Sequence, residues 1–120
     1  MRRALLLCLL ISAPPAGALD GAALRHYAAG ENAAAHGALE MAAGHYGKAL
    51  AILAAEGREE SEDAARLLAE MAALAHRLRN PRRAVVLLER SLAITRRVVG
   101  SDHPDHRARA RELARLRAAE

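Results

Sequence analysis

The chain has 120 residues, 52% of them apolar and 27% charged, with a formal net charge of +4. One cysteine, two tyrosines and no Phe or Trp exclude a disulfide-knit scaffold and an aromatic core, leaving Ala and Leu as the main packing residues. At roughly 25 cal/mol per Å² of apolar surface buried, such side chains build one small, modestly stable domain; the Ala, Leu, Arg and Glu content favours helix, and no stretch alternates with period two.

Residues 1–18 are expected to be a secretory signal. Met1-Arg2-Arg3 is a basic start, Ala4 to Ile11 an apolar run, and Pro14-Pro15 a helix stop. Ala16-Gly17-Ala18 fits the small-x-small rule for cleavage after Ala18. The run is far shorter than the roughly 20 residues that span a bilayer. An uncleaved anchor is the alternative. Leu7 is too bulky for the residue preceding a lipidated cysteine, which argues against Cys8 as a lipid site. Cleavage leaves a cysteine-free chain, residues 19–120, in the periplasm or outside the cell. No disulfide or thiolate metal site is then available.

Leu19 to Ala29 reads as a short helix with Asp20 as N-cap and Gly30 as its breaker. Glu31 to Ala43 reads as the next, stopped by Gly44, with His45-Tyr46-Gly47 as a tight turn. A third runs from about Lys48 to Ala55 and closes at Gly57. Ser61 is the N-cap of a helix from Glu62 to about Leu78, with Glu62 and Asp63 in its first turn. Leu67, Leu68, Met71, Leu74, Ala75 and Leu78 form one broad apolar face of it. Asn80-Pro81 restarts the chain, Asn80 capping and Pro81 suiting the first helical position. Ala84, Val85, Leu88, Ser91, Leu92 and Val99 line the inner face of that helix, and Gly100 stops it. Asp102 or Asp105 is expected to cap a last helix from about His106 to Ala118. Leu113 and Leu116 are its only large apolar residues, amid five arginines.

Two stretches share one logic: NPRRAVVLLERSLAITRRVVGSDHPD from Asn80 to Asp105, and GHYGKALAILAAEG from Gly44 to Gly57. The alternation resembles the tetratricopeptide repeat, a helix–turn–helix unit of about 34 residues. SLAITRRVVGSDHPD is similar to the longer repeat variant of kinesin light chains. The resemblance assigns Ala72 and Ala84 to the small positions of one repeat, Leu88 to the large one and Ser91 to another small one. Upstream it assigns Gly37 and Ala49 to small positions, Leu53 to the large one, and Gly44 and Tyr46 to the turn. Ala49 and Ala84 are 35 apart, Glu62 and Pro104 are 42 apart. His36 then falls on a usually apolar core position. The implied fold is all-α: antiparallel helix-pair repeats, about 30–57 and 62–100, form a short right-handed α-solenoid ended by a capping helix at about 106–118.

No residue set points to catalysis or to a cofactor. Ser61 and Ser101 read as cap or turn residues, Ser91 as a helix-crossing contact, and Glu59-Glu60 as a solvated loop. Asp102-His103-Pro104-Asp105-His106 is the densest run of metal-ligand types, but the repeat variant uses Asp-His-Pro-Asp as a turn and N-cap. His36, His45 and His76 fall on separate helices or turns. Arg107, Arg109, Arg111, Arg115 and Arg117 carry no interleaved aromatics for base stacking, which argues against nucleic acid.

Charge is uneven. Residues 19–75 hold 4 basic and 9 acidic side chains, whereas residues 76–120 hold 12 basic and 5 acidic. The resemblance implies a groove lined by the first helix of each repeat, here Arg66, Ala69, Ala73 and His76, then Arg111 and Arg115. The expected function is an exported, non-enzymatic protein–protein interaction adaptor whose groove takes an acidic or carboxylate-bearing peptide. A small structural subunit that self-associates through its repeats and capping helix is the alternative.

Overall fold

The computed structural model describes residues 19–119, so the expected signal segment lies outside the described residues. Five helices follow one another: α1 (Gly21–Ala35), α2 (Leu39–Ala55), α3 (Glu62–Arg77), α4 (Pro81–Val99) and α5 (Pro104–Ala118). The fold is all-α, with no strand among the described residues. Consecutive helices pack on one another, most closely as the pairs α1/α2 and α3/α4, with α5 against α4.

The helix starts follow local chemistry. Ser61 accepts a hydrogen bond from the Ala64 N–H and donates one to the Arg58 carbonyl, so one hydroxyl ties the preceding loop to α3. Asn80 accepts from the Arg83 N–H, and Pro81 occupies the first helical position. Asp20 stands at the N-cap of α1, but its side chain makes no capping bond. The cap of α5 is His103, whose Nδ1 accepts from the Asp105 N–H at 3.1 Å. Neither Asp102 nor Asp105 takes that place. Pro104 has no N–H and a fixed φ, so it enters as the first helical residue, and the position before it becomes the cap.

Three helices end in the same way. In the Schellman arrangement two N–H groups fold back on the last turn around one left-handed residue. Gly37 bonds Ala34 and Ala38 bonds Ala33; Gly57 bonds Ala54 and Arg58 bonds Leu53; Arg79 bonds His76 and Asn80 bonds Ala75. The left-handed residue is Gly37 (φ 78°) after α1 and Arg79 (φ 62°) after α3. These two positions are 42 residues apart, the separation of Glu62 and Pro104 at the starts of α3 and α5.

That register corrects the expected division upstream. Gly30 does not break a helix, and Gly44-His45-Tyr46-Gly47 is not a turn; all lie inside helices, and the turn is at His36-Gly37-Ala38. His36 is exposed there, not in a core. Counting 42 residues back, Gly30 matches Ala72, Ala42 matches Ala84, Tyr46 matches Leu88 and Ala49 matches Ser91, replacing the 35-residue spacing from Ala49 to Ala84. The cause is steric. A Cβ built on Gly30 would lie 2.6 Å from Cε1 of Tyr46, so glycine lets α2's one fully buried tyrosine seat against α1. At Gly44 and Gly47 nothing lies within 4 Å, and the packing of Ala42, Tyr46, Ala49 and Leu53 keeps α2 helical across them.

The core is mostly alanine and leucine. Tyr46, Leu53, Leu67, Met71 and Leu74 join α1–α3, while Ala72, Ala84, Val85, Leu88, Leu113 and Leu116 join α3–α5. A smaller cluster of Ala65, Leu68 and Ile94 seals α3 on α4. There Ser91 Oγ donates to the Ala65 carbonyl at 2.6 Å, turning a small-residue crossing into a hydrogen-bonded one. Leu78, expected on the apolar face, caps α3 and is 38% exposed. Leu92 and Val99 are half-buried at the edge.

Replacing Gly30 with alanine should cost about 1–3 kcal/mol, because the Tyr46 ring must shift. Replacing Gly44 with alanine should raise stability by about 0.5–1 kcal/mol. Urea unfolding midpoints of the two variants, moving in opposite directions from the wild type, check this pair.

Candidate interaction surface

α3 and α5 are the second and third odd-numbered helices, and α4 lies behind them. Between them runs a narrow cleft of about 90 Å³, lined by Ala69, Ala72, Ala73, Leu88, Glu112 and Leu116. A second depression, of about 290 Å³, lies along α5 between Ala108, Arg111, Glu112 and Arg115. Glu112 lines both. Ala69 and Ala73 therefore share a cleft, and Arg111 and Arg115 flank the neighbouring depression. The short alanines of α3 leave room; Glu112 and Leu116 form the opposite wall. Arg115 pairs with Glu112 one turn back on α5, whereas Arg111 is exposed and makes no ion pair with a described residue.

The other two expected groove residues stand apart. His76 is exposed in the last turn of α3. Arg66 turns towards α1: it pairs with Asp63 and its guanidinium lies 5.7 Å from the Tyr27 ring centroid. Asp63 is almost fully buried and also receives Arg58 at 3.0 Å, so the first turn of α3 holds an ionic knot. Arg109, one of the five arginines of α5, ties that helix to the pair behind it. Its guanidinium donates to Glu62 of α3 at 3.2 Å and to Thr95 Oγ1 of α4 at 2.7 Å.

Beside Arg66 lies a cluster that helix periodicity alone did not disclose. The Tyr46 hydroxyl donates to Glu31 Oε1 at 3.2 Å, and the Tyr27 and Tyr46 rings are 5.7 Å apart. Burial pushes the Tyr27 phenol up to about 12, helped by its hydrogen bond to Glu31 and that carboxylate's charge. Burial also raises the Tyr46 phenol, with Glu31 and Glu70 adding to it. Both phenols stay protonated donors at neutral pH. Glu70 is raised above the usual carboxylate range, first by burial and then by the Glu31 charge, with Arg66 and Arg109 opposing. Only the 42-residue register, which puts α1 beside α3, would have exposed this grouping in the sequence. The surface is thus bipolar, acidic with tyrosines towards α1 and basic along α5.

The histidine-rich run before α5 serves as a cap and turn. Among the described residues no group of three or more His, Cys, Asp or Glu is arranged to hold a metal ion. The hydroxyls of Ser61 and Ser91 are bonded to backbone carbonyls. No helix among the described residues is long and apolar enough to cross a membrane.

Residues 62–105 match the family model of the tetratricopeptide repeat, a segment spanning all of α3 and α4 and the start of α5. No curated protein matches the chain.

A raised carboxyl binds its proton more tightly in the folded chain than in the unfolded one. Stability therefore falls as pH rises above the ordinary Glu value of 4.5 and through the folded-state titration of Glu70. Glu70→Gln removes that penalty. The variant should gain melting temperature over the wild type at pH 7 and lose most of that gain at pH 4, as read by circular dichroism at both pH values.

Proposed function

With residues 62–105 a tetratricopeptide repeat, we propose that this chain is an exported adaptor that holds an acidic or carboxylate-bearing peptide against α3 and α5. The repeat itself marks a protein–protein interaction module, a kind of scaffold that works by presenting a surface. The 42-residue register of both hairpins supports the longer, kinesin-light-chain-like variant. The export reading rests on residues 1–18, whose composition suits a signal.

One observation carries the ligand class: the alanine-floored cleft of Ala69 and Ala73 runs beside an exposed Arg111 that has no carboxylate partner among the described residues. A guanidinium in that position can take a carboxylate through two parallel hydrogen bonds. Arg115 can join by releasing Glu112. The preformed helical surface supplies shape, and the arginines supply the sign of charge. Salt should weaken such binding, since the cation lies at the surface.

Fluorescence polarisation with a labelled peptide ending in a run of glutamates, and with its lysine counterpart, tests the reading. The glutamate peptide should bind selectively, and Arg111→Glu should weaken it at least about tenfold at low salt. Equal affinity of wild type and variant would refute the proposal.

A self-associating structural subunit is the second reading. It draws on Met41, 62% exposed, and Leu78, which sit at a shallow depression next to a cleft of about 220 Å³ between α2, α3 and α4. Light scattering over a concentration series should then show a mass that rises with concentration in the wild type and stays monomeric in Met41→Lys. A wild type monomeric throughout removes this reading.

A further inference from the structure

The α1/α2 pair brings together two histidines that lie 19 residues apart in the chain. His26 of α1 and His45 of α2 place their Nδ1 atoms 3.3 Å apart, with ring centroids separated by 5.5 Å and planes inclined by 31°. Both side chains are half-buried. Their spacing is set by the contact described above: His26 is one turn before Gly30 on α1, and His45 immediately precedes Tyr46 on α2. The close approach of Tyr46 to Gly30 therefore fixes the two imidazoles on rigid backbone from both sides.

We propose that His26 and His45 form a two-histidine clamp for a borderline divalent cation of the Zn²⁺, Cu²⁺ or Ni²⁺ class. Imidazole nitrogens bind Zn²⁺ at about 2.0–2.1 Å, and two of them at a tetrahedral angle stand about 3.3 Å apart. That is the separation the fold already provides, so little rearrangement is needed on binding. Without an ion, one ring must be the N–H donor and the other the acceptor. With one, both rings turn lone pairs inward and each keeps its Nε2–H. Two protein ligands leave the remaining positions to water, which makes this an open, exchangeable site of modest affinity. Imidazole donors favour these ions over Mg²⁺ or Ca²⁺, which take oxygen. Because its ligands come from two helices, the ion binds the folded chain and stabilises the α1/α2 hairpin.

The test uses the full chain without an affinity tag, in a Cys8→Ser background so that no thiol competes. After stripping with EDTA, thermal unfolding is followed with Zn²⁺ and with Mg²⁺. Zn²⁺ at about ten times its dissociation constant should raise the midpoint by about 5–10 °C, and Mg²⁺ should not. His26→Gln and His45→Gln should each abolish the Zn²⁺ shift, while His36→Gln and His103→Gln keep it. A wild type unmoved by Zn²⁺, or a His45→Gln variant that shifts as the wild type does, overturns the proposal. If either clamp variant fails to fold in EDTA, ring ¹⁵N spectra of the parent protein decide. Zn²⁺ should displace the Nδ1 signals of His26 and His45 together; if those two signals stay in place while Zn²⁺ is added, the clamp does not exist.

Discussion

The seating of Tyr46 against Gly30 is the contact on which the N-terminal half of this molecule depends. A small-side-chain core buries little apolar area per residue, so it gains stability by bringing helix axes close. Alanine does this at Ala72 and Ala84 in the second pair. In the first pair a large ring, that of Tyr46, is fully buried, and only the absence of a Cβ opposite lets it in. The same contact aims the Tyr46 hydroxyl at Glu31, sets the distance between His26 and His45, and helps form the acidic end of the surface facing α3.

The two helix pairs solve one packing problem with different residues. Tyr46 and Gly30 stand where Leu88 and Ala72 stand, and the pair sums are similar: large against nothing, medium against small. Ser91, matching Ala49, adds a hydrogen bond to the α3 backbone in exchange for a methyl group. Likewise the left-handed turn residue is glycine in one pair and Arg79 in the other. Arginine in that conformation carries a strain of about 1–2 kcal/mol, which the two fold-back hydrogen bonds and the capping of α4 offset.

The second half of the chain was legible because its punctuation is redundant. Ser61, Asn80-Pro81 and Gly100 each mark a boundary through capping or backbone chemistry, and α3 and α4 are strongly amphipathic. The first half offers glycines without context. Gly30, Gly37, Gly44 and Gly47 look alike as letters, yet one makes room for a ring, one supplies a positive φ, and two are tolerated inside a helix. Nothing in a local window tells these uses apart; the partner helix does. The surface was legible in its residues but not in its pairings. Arg66 and Arg115 already hold carboxylates, Arg109 is an internal tie, and the Tyr27–Glu31–Glu70 grouping arises only when α1 lies beside α3.

Arg109 has one more consequence. Among the described residues α5 packs chiefly on α4, and a helix held by one neighbour opens more readily than one held by two. Leu113 and Leu116 hold α5 together with the Arg109 bridge, which reaches both helices of the preceding pair, and an ion pair from Arg117 to Glu89 of α4 at 3.4 Å. α5 is therefore a separately detachable flap with a mixed apolar and ionic fastening. Its amide hydrogens should exchange with solvent ahead of those in α3 and α4, at a rate that added salt quickens by weakening the bridge to Glu62. α5 thus carries an adjustable affinity for its own scaffold.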